Sequence, residues 1–523
     1  MQMPNFIPYD YSQNSMVVIN YLDQLQSGTF EHGIHFLIND KLDLSVYFEA
    51  YNNTDNGRPA YDPAILLKII LFAYSKGITS SREIQWCCET NIIFKALSCD
   101  TVPHFTTIAS FVSSHTQAIE DLFEQILLIC DEQGLLGHEL FAIDGCKMSS
   151  NAAKEHSGNF KELAQKRDKI KKLIKHHIRE HKKLDKDEPR DDARLKRARQ
   201  ATQTLTAAYE KIDKFLKTNS PRMGKGKIQK EVKSNITDNE SAKMTTSKGT
   251  IQGYNGIASV DKKYQIIIDA QAFGEGQEHH TLQPVLETIK DRYQRLGFSK
   301  NIYKDNIIVT ADTGFSNETN NRYLYENGIN AYVPDNRFRS RDPKFKDQKT
   351  KYGKRTDYKK TRTQKIIPAS EFLIDAKEKQ CTCPAGESMW LKNEGIDKRG
   401  NYKLFFEGRL GKCRHCTLKK QCMTNPDSAN TRRGHGRQVS FILEDKRAPN
   451  YTDWMKRRVD SDNGKLIYSH RMSIVEPVFG NIGTNKGLNR FSLRSKQKVQ
   501  GQWKLFCIVR NIEKLMHYST MAA

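Results

Sequence analysis

Two short apolar runs, each carrying the chain to an aspartate followed closely by a glycine, limit what this sequence can fold into more than any other feature. Leu140-Phe141-Ala142-Ile143 leads to Asp144-Gly145, and Ile307-Ile308-Val309 leads to Asp312-Thr313-Gly314. Continuous apolar runs of this length read as buried strands. Asp-Gly is also a common turn dipeptide, so each aspartate either opens a turn or is held at a strand end for chemistry. "GYNGIASVDKKYQIIIDAQAF" reads as two strands joined across Asp261-Lys262-Lys263. A helix is expected from His280 to about Leu296, another from Asn317 to Glu326, and "NAYVPD" reads as a strand. The order strand-Asp, hairpin, helix, strand-Asp, helix, strand is an α/β pattern with a mixed sheet, in which the two aspartates converge if their strands are neighbours. The candidate for a third acid is Glu476, in "YSHRMSIVEPVFGNIGTNKGLNRF". Pro477 behind it predicts a helix start or a kink, because proline is costly inside a helix.

At 523 residues the chain exceeds one hydrophobic core and should divide into two to four domains. Residues 1–135 read as all-helical. Asp62 is a predicted N-cap with Pro63 at the first helical position and Gly77 as the stop, Ser80 and Glu83 have capping-box spacing, and His104 to Thr107 introduces a third amphipathic segment. Such short helices form either a helix-turn-helix-like DNA reader or a plain bundle. The core is expected over 136–335, interrupted at 155–235 by a charged helical hairpin. Its stripes are Leu163, Ile170, Ile174 and Ile178, then Leu195, Ala198, Leu205, Tyr209, Ile212 and Leu216, with Pro189, Asp191 and Asp192 at the turn. Residues 161–220 hold 19 Lys and Arg against 10 Asp and Glu, a basic face that is either solvated surface or a DNA contact. Residues 336–459 form a Cys-rich, zinc-ribbon-like insertion, and 460–523 a helical tail that carries Glu476. Trp503 and Phe506 on the last helix are expected in the core, and His279 and His280 at a helix cap or surface.

The net charge of +23 points to a polyanionic partner. Nucleic acid is favoured over membrane, because the longest apolar run, Ala64 to Tyr74, is interrupted by Lys68 and falls well short of the roughly 20 residues a span needs. The opening Met1-Gln2-Met3-Pro4 does not read as a secretory leader. Five of the eleven cysteines lie between 381 and 422, which suits reduced thiols, with or without a metal, better than disulfides. The expected location is the cytoplasm, on nucleoid DNA. A Cys-x2-Cys pair with two further cysteines has the makings of a tetrahedral zinc site, so Cys383, Cys413, Cys416 and Cys422 are either ligands of one structural zinc or reduced thiols.

"FAIDGCKMSSNAA", "DNESAKMTTSKGTIQGYNGIASVD", "IIVTADTGFSNETNNRYLYENGINAYVPD", the cysteine cluster and "HRMSIVEPVFGNIGTNKGLNRFSLRS" resemble, in order and over nearly the whole chain, the blocks of a bacterial insertion-sequence DDE transposase. The nearest resemblance is to the family numbered eleven eighty-two. It implies a ribonuclease H-like catalytic core with Asp144, Asp312 and Glu476 as the acidic triad, holding two Mg2+ or Mn2+ ions per active site. It further implies double-stranded DNA, transposon ends and target, as partner, with a dimer in the synaptic complex. The tail from 456 to 515, with 13 Lys and Arg against 4 acids, is expected to touch DNA through Arg471, Lys486, Arg490 and Arg494.

Two hard cations held by carboxylates suit in-line displacement at phosphorus, which needs no Ser or Cys nucleophile. The chain departs from the resembled pattern at Cys146, where threonine is usual, and at Gly483, seven residues after the glutamate, where lysine is common; Lys486 is the expected substitute. A haloacid dehalogenase-type phosphatase also begins with strand-Asp, but it needs a second aspartate where this chain has Cys146. A non-transposing two-metal nuclease and a catalytically impaired DNA-binding derivative stay open as alternatives.

Overall fold

The computed structural model describes residues 18–49, 51, 59–184, 192–225, 229–246, 249–345, 366–396, 401–444 and 450–519. Pro189, Asp191 and the opening Met1 to Pro4 lie outside them. The chain divides into two compact units, Met1–Asp335 with Ser461–Ala523, and Asn336–Asp460.

In the first unit the N-terminal region is helical: α1 (Phe30–Phe36), α2 (Pro63–Ser75), α3 (Ser81–Thr90), α4 (Ile92–Ser98), α5 (Phe105–Ser114) and α6 (Thr116–Glu132). Asp62 caps α2 by accepting from the Ala64 N–H at 2.7 Å, and Gly77 ends it at φ +78°. Ser80 takes the N-cap position of α3, but its side chain makes no capping bond, so the expected capping box does not form. The third amphipathic segment is two helices, parted at His115. These helices share a core with the last helix, as Tyr74 stacked on Phe506 at 4.7 Å shows.

The main sheet contains β1 (Leu140–Ser149), β2 (Ala242–Thr246), β3 (Gly249–Asp261), β4 (Ile267–Phe273), β5 (Ile308–Ala311) and β6 (Ala331–Tyr332). Its order is β2-β3-β1-β5-β6, with β4 pairing β3 beyond β2. The β1–β3 pairing is antiparallel, and the β1–β5 and β5–β6 pairings are parallel, so the sheet is mixed. Between β1 and β2 the hairpin helices α7 (Phe160–Leu184) and α8 (Asp192–Thr218) leave the sheet. Their apolar stripe is buried only at the root, where Leu163, Ile212 and Phe215 cluster; farther out Leu173 and Ile178 are exposed. Helix α9 (Leu282–Arg295) joins β4 to β5, and α10 (Glu318–Glu326) joins β5 to β6. The unit closes with α11 (Asp462–Gly480) and α12 (Lys496–Tyr518). Trp503 and Phe506 of α12 are fully buried, and the Trp503 indole donates to the Ile257 carbonyl at 3.0 Å.

Pro477 lies inside α11 rather than at its start. Proline frees the carbonyl four residues earlier, here that of Ser473, and the Gln265 amide supplies the missing donor at 3.0 Å. A five-turn helix thereby keeps its proline without an orphaned acceptor.

The second unit is built on an antiparallel sheet of order β11-β10-β9-β8-β7, from β7 (Leu373–Asp375), β8 (Gln380–Thr382), β9 (Ser388–Ile396), β10 (Tyr402–Gly408) and β11 (Gln438–Glu444). Phe372, Cys381, Met389, Leu404, Phe406 and Val439 form its core. Among the described residues no helix is long and apolar enough to cross a membrane.

A buried ion cluster ties α6 and α9 to the sheet. Arg292, fully buried, donates to Asp269 at 2.5 Å, to the Ile268 carbonyl at 2.9 Å, to Glu120 at 2.6 Å and to Glu124 at 3.2 Å. Removing one partner of such a cluster strands the others. Arg292→Leu is therefore expected to cost about 3–5 kcal/mol, read as a lowered denaturant midpoint of the first unit. A loss below about 1 kcal/mol would mean that solvent already reaches Asp269.

Candidate active site

The strand β1 does not end at Asp144. It stays paired with β3 as far as Ser149 opposite Gly253. What ends is its other edge: the parallel pairing with β5 stops at Ile143 opposite Ala311. Asp144 and Asp312 are each the next residue, so the register alone sets them side by side at an open strand edge. The Asp144 carboxylate accepts from the Gly145 N–H at 2.8 Å, which holds it without a turn.

From α11, Arg471 reaches both aspartates. Its Nη1 donates to Asp144 Oδ2 at 2.8 Å, and its Nη2 lies 3.7 Å from Asp312 Oδ1. The guanidinium also lies over the Tyr468 ring, 5.8 Å from its centroid. Burial pushes the Asp144 carboxyl above the ordinary carboxylate range. Arg471 and the Gly145 N–H pull it back, and Asp312 adds to the rise. Burial likewise raises Glu278, which accepts from Asn255 Nδ2 at 3.2 Å and senses the charges of Asp144 and Asp312. The Cys146 thiol is also raised by burial, with Asp144 and Glu278 contributing, so it stays neutral.

Glu476 is exposed. It follows Arg471 by five residues, about 140° around the helix, so the face of α11 that meets the aspartates presents Arg471 and not Glu476. Gly483 is on that outer side, and an added Cβ there would meet open space. Lys486 was expected at DNA and lies elsewhere: its Nζ is buried, 2.5 Å from Glu513 Oε1 and 2.6 Å from Asn481 Oδ1, because the chain past α11 folds back on α12. Arg490 and Arg494 are exposed and hold Asn151, just past β1, through bonds of 3.2 and 2.7 Å. His279 offers its carbonyl to Asn317 and Asn320, and His280 is exposed. Glu278 and Tyr468 were missed by sequence reasoning. Glu278 carries no pattern of its own, whereas Tyr468, three residues before Arg471, was within reach of helical spacing.

In the second unit Cys383, Cys413, Cys416 and Cys422 line one cavity. The Cys413 thiol is raised by burial and further by Cys383 and Cys416, and the Cys422 thiol by burial and further by Cys413, Cys383 and Cys416. The Cys413 sulfur also faces the Arg437 N–H, and Cys383 opens a tight turn in which Gly386 N–H donates to its carbonyl at 2.8 Å. Cys381 packs instead in the sheet core, 3.8 Å from the Met389 sulfur.

Among the described residues no group of three or more His, Cys, Asp or Glu side chains is arranged to hold a metal ion as it stands. At the strand edge the donor chemistry nonetheless fits a hard divalent ion: two oxygen donors already converge on a cation, with the Arg471 guanidinium as its stand-in. The four thiols around one cavity fit zinc in kind and number.

Paired carboxylates able to hold hard divalent ions suit metal-dependent phosphoryl transfer. Residues 382–516 match the family model described as Transposase DDE domain, and residues 20–114 match the one described as Transposase domain (DUF772). A DDE transposase domain implies a ribonuclease H-like core and transposase activity. The DDE match contains Arg471, Glu476 and the four cysteines; Asp144 and Asp312 precede it. No curated protein and no solved structure matches the chain.

The raised Asp144 value has a consequence for stability. With a folded value above the unfolded one, the group's stabilising contribution is full while it is protonated and is lost as pH rises through the raised value. Asp144→Asn stays neutral and escapes that loss. Without divalent ions it should unfold a few degrees above the unsubstituted chain at about pH 7, the gap narrowing toward about pH 4. Calorimetry showing a gap that widens on acidification would contradict the burial argument.

Proposed function

We propose that this chain is an insertion-sequence DDE transposase, similar to the family numbered eleven eighty-two, that binds the ends of its element and performs metal-dependent strand cleavage and strand transfer. The observation that carries the reading is the convergence of Asp144 and Asp312 on a cation where the pairing of two parallel strands stops, in a chain with two transposase domain matches. Asp144 and Asp312 would hold Mg2+ or Mn2+, and Glu476, on the accessible face of α11, would complete the set when DNA is present. When bound, a pair of such ions activates the attacking oxygen and stabilises the leaving one. Arg471, displaced from the aspartates, is placed to pair with a phosphate, and Arg490 and Arg494 extend that basic surface. The +23 charge supports duplex DNA as partner, bound near its coding nucleoid in the cytoplasm. Two ends must be joined to one target, which calls for a dimer in the synaptic complex.

The test is cleavage of the DNA that flanks the coding gene, with Mn2+ or Mg2+ and labelled 3′ ends. Asp144→Asn, Asp312→Asn and Glu476→Gln are each expected to abolish nicking while end binding stays within a few-fold. Substantial nicking by any one variant removes that residue from the triad, and nicking without strand transfer favours a non-transposing nuclease. Gly483 favours a second reading, an impaired DNA-binding derivative. Since a Cβ at 483 meets open space, Gly483→Lys should fold normally and, if a phosphate contact was lost there, raise the cleavage rate.

We further propose that Cys383, Cys413, Cys416 and Cys422 hold one structural zinc. Purified protein should contain about one zinc per chain, and Cys413→Ser or Cys416→Ser should release it and open the second unit to protease. Elemental analysis without zinc, together with freely titratable thiols, would return the cluster to reduced cysteines.

A further inference from the structure

Asp144 and Asp312 are each followed within two residues by a glycine, and the two glycines face the same side chain. A Cβ on Gly145 would lie 3.1 Å from Glu278 Oε1, and a Cβ on Gly314 would lie 2.0 Å from Glu278 Oε2. The carboxylate of Glu278 thus occupies the space that both residues leave by lacking a side chain. It sits on a short helical turn, Glu278–His280, just before α9, and Asn255 Nδ2 holds one of its oxygens at 3.2 Å.

The sheet explains how this group meets Asp144. Alternate residues of β1 point to opposite faces, so Arg471 approaches Asp144 from the side of α11 while Glu278 comes over Gly145 from the side of α9. Since β5 stops at Ala311, the edge of β1 beyond Ile143 is open, and groups from both faces can meet there. Two further observations point to a ligand at this edge. Arg471 already places a cation between Asp144 and Asp312. Asn255, fully buried, has an Oδ1 without a partner, 2.8 Å from the Gly145 Cβ position.

We infer that Glu278 is a carboxylate ligand of the divalent-ion site formed by Asp144 and Asp312, seated by Gly145 and Gly314 and oriented by Asn255. The inference rests on the proposed metal-dependent reading. It places the third acid of the first ion on the α9 side of the sheet and leaves Glu476 to act on the α11 side with DNA. Gly145 and Gly314 then serve the site by their lack of a side chain.

Titration of the full-length protein with Mn2+ alone, followed by calorimetry and by the Mn2+ electron paramagnetic resonance signal, tests this without reading activity. Glu278→Gln keeps shape and should weaken Mn2+ binding at least about tenfold, with an unchanged circular dichroism spectrum. Gly314→Ala, which removes no carboxylate, should weaken it too by pushing Glu278 aside. Glu476→Gln should bind Mn2+ as the unsubstituted chain does in the absence of DNA. If Asp144→Asn loses Mn2+ but Glu278→Gln and Gly314→Ala bind it normally, the role of Glu278 is overturned and the metal-dependent reading stands. If the unsubstituted chain takes up no Mn2+ that Asp144→Asn fails to take up, the reading itself falls, and this inference with it.

Discussion

The parallel register between β1 and β5 is the constraint on which the rest depends. Pairing Ile143 with Ala311 makes Asp144 and Asp312 neighbours through the backbone register. Two carboxylates so close repel each other, and burial raises the cost of the charge on Asp144. The fold pays for the arrangement through the apolar strands beneath it, where Phe141, Ala142, Ile143 and Ala311 are all fully buried. A one-residue slip would turn Asp144 to the opposite face and put Ile143 in its place.

Cations settle what the register leaves open. Arg471 neutralises the aspartates from α11, in a position that a divalent ion would also favour. On the neighbouring edge strand β4, Arg292 gathers Asp269, Glu120 and Glu124, fixing α6 and α9 on β4. The two clusters differ in access. Arg292 is sealed and serves the fold, whereas the Arg471 cluster opens at a strand edge, so its partner can be exchanged. That difference in solvent access, rather than the residue types, separates an ion pair that holds the core from one suited to bind a ligand.

Several features were legible before any coordinates. The α/β order, the hairpin at Asp261 to Lys263, the capped start of α2, the buried Trp503 and Phe506 and the aspartate that follows β5 come from local pattern. Pro477 is not at a helix start, because Gln265, 212 residues earlier in sequence, supplies a donor that the helix alone lacks. Lys486 read as a free cation because sequence does not show that Glu513 lies across from it. At Asp144-Gly145 the chain neither turns nor ends its strand, because β3 holds β1 straight through it.

The sequence by itself determined where strands and helices form, which residues are apolar enough to be buried and which aspartates stand where a buried run gives out, because those properties depend on neighbours within a few residues. Tertiary structure alone decided which carboxylates share a site. Glu278 lies 134 residues after Asp144 and 34 before Asp312 and packs against the glycine that follows each, whereas Glu476, marked by its motif, faces solvent on α11. Such meetings are set by strand register, by the face a helix turns inward and by the space a missing side chain leaves, and no local pattern in the chain records them.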